Sequence, residues 1–155
     1  MGKDQNFSSY CQKKTGTLYE NTKERDYLIL SYCKALKEND YQTIIDLFAK
    51  KSKVYSFLVG EKEPAEFFEN LFSTSKRTIV DLRKIFIGLD DSKSVAAYIY
   101  LETLWNGKIK VNVEAVDLFE FDEKNKIKTL RIILDTHPIK KLKESFQADN
   151  KNSIS

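Results

Sequence analysis

The sequence predicts an α+β domain in which about three helices pack on the concave side of a cone-shaped, curved antiparallel sheet. Three observations lead there. Apolar residues recur at helical spacing in three stretches before Thr78, and from Thr78 onward the period changes to two. Turn signals at Gly88 to Ser92, Asn106-Gly107 and Asp122 to Asn125 then divide the second half into four strands.

The elements follow in order. Residues 1–20 are polar with no sustained apolar period and read as an N-terminal tail. Asn21 three residues before Glu24 forms a capping-box start, and Leu28, Ile29, Tyr32, Cys33 and Leu36 make one stripe of a helix running to about Lys37. Asn39-Asp40 breaks and recaps the chain, after which Tyr41, Ile44, Ile45 and Phe48 repeat the helical period. Lys53 to Val59 is short, aromatic and β-branched, a strand that Gly60 ends. Pro64 suits a first helical position, and Phe67, Phe68, Leu71 and Phe72 stripe a third helix to about Ser73. Asn106-Gly107 is the most specific turn signal, because a two-residue type I′ turn needs positive φ at both positions. After Asp135, Pro138, Ile139, Leu142 and Phe146 suggest a short terminal helix, with a polar tail from Gln147. The domain is therefore expected over 21–137, flanked by 1–20 and 138–155.

A chain of 155 residues is the size of one domain, which argues against a catalytic cleft between two domains. An apolar fraction of 41% with 32% charged residues describes a polar globule rather than a disordered chain. The longest apolar run, Val95 to Leu101, is far too short to span a bilayer, so no membrane partner is expected. Residues 21–137 carry 19 basic and 19 acidic side chains, and the basic group Lys140, Lys141 and Lys143 is short, so nucleic acid is not expected either. Cys11 and Cys33 without a signal peptide fit a reducing cytoplasm. One histidine, His137, and two distant cysteines make no zinc set, and there is no glycine-rich phosphate loop or nucleophile elbow; no metal and no cofactor are expected.

One residue breaks the pattern. Along Lys108 to Phe121, one face reads Ile109, Val111, Val113, Ala115, Asp117, Phe119 and Phe121, so the alternation that buries the apolar six aims Asp117 at the interior. A buried carboxyl must find a partner or take up a proton. The plain interpretation is a satisfied interior acid bonded to a tyrosine or a backbone amide. If the Asn106-Gly107 turn pairs Trp105 with Lys108, Tyr98 lies diagonally beside Asp117 on the inner face, with Tyr100 one step further and Glu102 beyond.

From about Tyr27 to His137 the chain resembles the nuclear-transport-factor-2-like superfamily of cystatin-like folds, especially its SnoaL-like and ketosteroid-isomerase members. The resemblance is carried by SYCKALKENDYQTIIDLFAKKSKVYSF and by VEAVDLFEFDEKNKIKTLRIILD. In the isomerases a helix tyrosine and a protonated aspartate form an oxyanion hole while another aspartate moves the proton. The resemblance places Tyr32 on the tyrosine position and Asp117 on the hydrogen-bonding acid. It places Ser56 of VYSFL on the base position, and a serine cannot abstract a proton without an activating base of its own. Asp135, where SnoaL-like proteins often carry an acid, is the substitute candidate. Ser56, Phe68, Phe72, Tyr98, Tyr100, Glu102, Val113 and Ala115 are then the expected ligand wall. The resemblance also implies a homodimer through the outer sheet face.

Three functions fit these residues. The first is a binding module holding a small apolar or planar molecule; the second is an isomerase, cyclase or dehydratase acting by enolisation with a non-standard base. The third is a dimeric interaction protein whose cavity is filled by its own aromatics.

Overall fold

A computed structural model of the chain describes residues 23–88 and 93–141. The first helix, α1, occupies residues 23–38 and buries Ile29, Tyr32, Cys33 and Leu36 of the predicted stripe, with Leu28 half-buried against the core. Its end is a Schellman motif: Asn39 takes φ 53°, its N–H donates to the Leu36 carbonyl at 3.4 Å, and Asp40 N–H donates to the Ala35 carbonyl at 2.9 Å. Asp40 then caps α2 (Tyr41–Asp46), accepting from Thr43 N–H at 3.1 Å and from its hydroxyl at 2.6 Å. The predicted cap at Asn21 lies outside the described residues, as do both chain tails and most of the turn after Gly88.

The second helix is shorter than its apolar period implied, because Phe48 opens a strand. β1 runs Phe48–Ser56, three turn residues follow, and β2 (Gly60–Lys62) returns antiparallel to it. The expected single strand Lys53 to Val59 is thus a hairpin, with Gly60 at φ 78° starting the return rather than ending the sheet. The first half of β1 was hidden because its register to the neighbouring strand shifts between Phe48 and Lys53, so residues 49–52 lack a clean alternation.

Helix α3 (Pro64–Thr74) starts with proline in its first turn as predicted and passes directly into β3 (Ser75–Ile87), three residues earlier than the change of period suggested. β4 (Ser94–Trp105), β5 (Ile109–Phe121) and β6 (Ile127–Leu134) complete a curved, open six-stranded sheet in the order β2-β1-β6-β5-β4-β3. The last four strands form the expected antiparallel meander, but β1 joins β6 in parallel, so the sheet is mixed. Register shifts near Arg77, Leu82 and Glu120 bend the strands around one apolar layer, against which Ile29, Tyr32 and Phe68 of the helices pack. A short helical turn, residues 137–141, follows. Among the described residues no helix is long and apolar enough to cross a membrane.

The β4–β5 turn decides which side chains reach the interior. Asn106 and Gly107 have φ 47° and 69°, and Lys108 N–H closes the turn on the Trp105 carbonyl at 3.0 Å. Lys108 nevertheless stays out of the ladder, and Trp105 pairs with Ile109. One extra residue moves every β4 partner by one and so exchanges the faces of the strand. Asp117 therefore stands opposite Ala97, not Ala96, and Tyr98 stands opposite Val116.

A side chain at Gly107 would meet nothing within 4 Å, so substitution there carries only the backbone cost of positive φ. Gly107→Ala is expected to lower unfolding free energy by about 1 kcal/mol, read as a shift of the urea midpoint at unchanged slope.

Candidate ligand-binding site

Between α1, α3 and the inner face of β4–β6 lies a cavity of about 690 Å³. Its walls are mostly apolar: Leu36 from α1, Phe67 and Leu71 from α3, Leu101 from β4, Val111 and Val113 from β5. The hairpin residues Leu58 and Val59 stand at the same cavity, with Ile139 of the last helical turn. The inner face of β5 is the predicted one, with burial alternating from Val111 to Phe121.

Two polar groups meet in this wall. The Tyr32 hydroxyl donates to Asp117 Oδ2 at 2.9 Å across 85 residues of sequence, and Asp117 Oδ1 is buried without a partner. The Tyr32 ring is fixed edge-on against Phe119, centroids 5.1 Å apart, and against Phe68 at 6.3 Å. Burial pushes the Asp117 carboxyl up to about 7, and the Tyr32 bond opposes this only in part. Burial and the neighbouring Asp117 hold the Tyr32 phenol well above its ordinary value, so it stays a donor. Cys33 behind them is pushed up to about 12 by burial and then by Asp117, and stays a thiol.

The other expected site residues divide. Ser56, Val113 and Ala115 line the cavity, Ser56 with its hydroxyl accepting from Leu58 N–H at 3.3 Å. Phe68 is fully buried behind Tyr32, and Phe72 packs on Phe68 with centroids 5.9 Å apart; both belong to the core and not to the cavity wall. Tyr98, Tyr100 and Glu102 are on the outer face, because the extra turn residue reversed β4. There Tyr98 bonds Glu114 at 2.7 Å, Tyr100 bonds Glu102 at 3.1 Å, and the Arg83 guanidinium stacks on both rings. Asp135 is exposed, accepts from His137 N–H at 2.9 Å and does not line the cavity.

Sequence reading missed Leu101, Thr103 and Trp105, which reach the cavity through the register just described. The strictly aliphatic alternation of Val95, Ala97, Ile99 and Leu101 was the signal that could have found that face. It also missed Arg77, buried in the same wall, for which the sequence offered no cue. Among the described residues no three His, Cys, Asp or Glu side chains gather as a metal site would require.

No family model and no curated protein sequence matches the chain. Solved structures do. The epoxide hydrolase/cyclase-like enzyme SalBIII, described in pyran ring formation in the polyether salinomycin, superposes with TM-score 0.63 at 20% identity, covering 74% of this chain and 92% of its own. An NTF2-like protein of unknown function from Cytophaga hutchinsonii gives 0.55 at 17% identity over 72% and 90% of the two chains. A protein with a ketosteroid isomerase-like fold from Catenulispora acidiphila, in complex with trimethylamine, gives 0.60 at 11% identity over 68% and 83%.

The sign of the Asp117 shift fixes a pH dependence. The folded protein holds the proton up to about pH 7, whereas the unfolded chain releases it near ~4. This stabilising contribution is complete below the unfolded value and is lost as pH rises through the folded one. Wild type is expected to lose at most roughly 4 kcal/mol by this route between pH 4 and 8, and Asp117→Asn, which keeps an oxygen for Tyr32, to lose none of it. Urea unfolding at several pH values measures the difference; identical profiles would mean an ordinary carboxylate. The order and pairing of these strands and helices, together with the three structural matches, identify the chain as having the nuclear-transport-factor-2-like fold.

Proposed function

We propose that this protein binds a small, largely apolar molecule in the inner cavity, with an oxygen of that molecule meeting the Tyr32/Asp117 pair. The observation that carries this reading is Asp117 Oδ1, a buried polar atom without a partner in a wall that is otherwise mostly apolar. Such an atom carries a desolvation penalty that a ligand hydroxyl, phenol or carbonyl would relieve. The cavity volume falls within the range of small-molecule sites. An interaction protein whose own aromatics fill the cavity has less support, since Tyr98 and Tyr100 face outward and Phe68 and Phe72 leave the space open.

A second reading, turnover by enolisation, is favoured by one observation. A carboxyl near 7 can act as acid or base at neutrality, and Asp117 is such a group. Asp135 has no part in it, being outside the cavity, and Ser56 supplies no base. Homodimerisation through the outer face is a separate proposal, in which Phe86, Leu118 and Ile133, exposed there, would be covered.

Calorimetric titration with 2-naphthol tests the binding reading. Wild type should bind, and both Asp117→Leu and Tyr32→Phe should weaken binding by about 1–3 kcal/mol, the cost of losing a buried hydrogen-bond partner. Equal affinity in all three folded proteins would contradict it. Solvent deuterium entering a bound ketone only when Asp117 is present would convert the binding reading into the catalytic one.

A further inference from the structure

The cavity wall contains a cation that no carboxylate of the described residues balances. Arg77 lies on β3, faces Thr103 across the ladder, is 3% exposed and lines the cavity. One terminal nitrogen donates to Asn39 Oδ1 at 2.9 Å and to the Ser75 carbonyl at 2.6 Å, and the other donates to Ser75 Oγ at 3.2 Å. The guanidinium also lies over the Phe72 ring, 5.2 Å from its centroid. All of these partners are neutral, and Nε has none. Among the described residues no carboxylate forms an ion pair with Arg77. Asp117 is not a substitute counter-ion: its hydrogen bond goes to Tyr32, it makes no ion pair with Arg77, and burial pushes its carboxyl up to about 7.

Burial pulls Arg77 down to about 10, which still leaves it charged at neutral pH. Tying the Asn39 turn to Ser75 requires donors but no charge, so both the charge and the Nε donor exceed a purely structural role. A guanidinium in a low-dielectric wall projects a positive field into the adjoining cavity. The other lining cation, Lys62, is already engaged with Glu66 at 2.6 Å. One unbalanced charge with two N–H groups left over, on Nε and on the nitrogen that bonds Ser75 Oγ, suits a carboxylate monoanion; a phosphate would ask for more donors than this wall offers.

We infer that the cavity takes a small organic acid, with its carboxylate set against Arg77 and its apolar body against Leu101, Val111 and Val113. This rests on the small-molecule reading above and adds the charge of the ligand. Asp117 then meets a second oxygen of the same molecule where it has one.

The test compares 1-naphthaleneacetate with its uncharged isostere 1-naphthaleneacetamide by calorimetry at pH 6, where Asp117 is mostly neutral. The full-length protein and its Arg77→Gln and Arg77→Lys variants are used, each checked for folding by circular dichroism. Wild type should bind the carboxylate at least tenfold tighter than the amide. Arg77→Gln should bring the two within about threefold, and Arg77→Lys should keep part of the preference. If wild type binds the amide as tightly as the carboxylate, the inference is overturned while the binding reading stands. A preference that persists in folded Arg77→Gln also overturns it. No binding of either probe by folded wild type defeats both readings together. Should Arg77→Gln not fold, the wild-type pair and Arg77→Lys still decide.

Discussion

A carboxyl group on the apolar face of a strand obliges the surrounding structure to give it a partner. Asp117 sits on β5 between Ala115 and Phe119, both buried, and its partner comes from the opposite layer, the Tyr32 hydroxyl of α1. That bond ties the first helix to the middle of the sheet, and the ring that makes it is held edge-on by Phe119 and Phe68. Because burial outweighs that one bond, the site is left with a proton held to about pH 7, and Oδ1 is left without a partner. The packing that gives the sheet its core also sets the chemistry of its cavity.

The two sheet faces show why burial decides the outcome. On the outer face, Arg83 contacts Tyr98, Tyr100, Glu114 and Asp81, a cluster denser in polar groups than anything inside. Its charged members are exposed to solvent, so their mutual attraction is screened and contributes little. Inside, a single tyrosine, a single aspartate and a single arginine occupy an apolar wall, and each is perturbed by the loss of water. The same residue types acquire functional interest only where water is excluded.

Much of this was legible in the amino-acid order. The alternation along β5 exposed Asp117 as an interior acid, the α1 stripe placed Tyr32 on the buried side, and Asn39-Asp40 marked the break between helices, because each signal is local. What was not legible depends on events at a distance or on one residue's choice. Whether Lys108 enters the ladder cannot be read from a turn motif, yet it decided that Tyr98, Tyr100 and Glu102 face outward. The parallel pairing of β1 with β6 joins segments more than 70 residues apart, and the irregular start of β1 hid half of that strand. Arg77 lies ahead of the change of period at Thr78 and carries no local signal; its neutral partners and its burial emerge only from the fold.

The chemistry of the cavity depends most on the protonation of Asp117. Its side-chain carboxyl carbon, labelled with ¹³C and identified by its disappearance in Asp117→Asn, reports that state directly by nuclear magnetic resonance as pH is varied. A titration centred near 7 is the expected result. A carboxyl that titrates near ~4, as an ordinary aspartate does, would contradict the claim that burial governs this site.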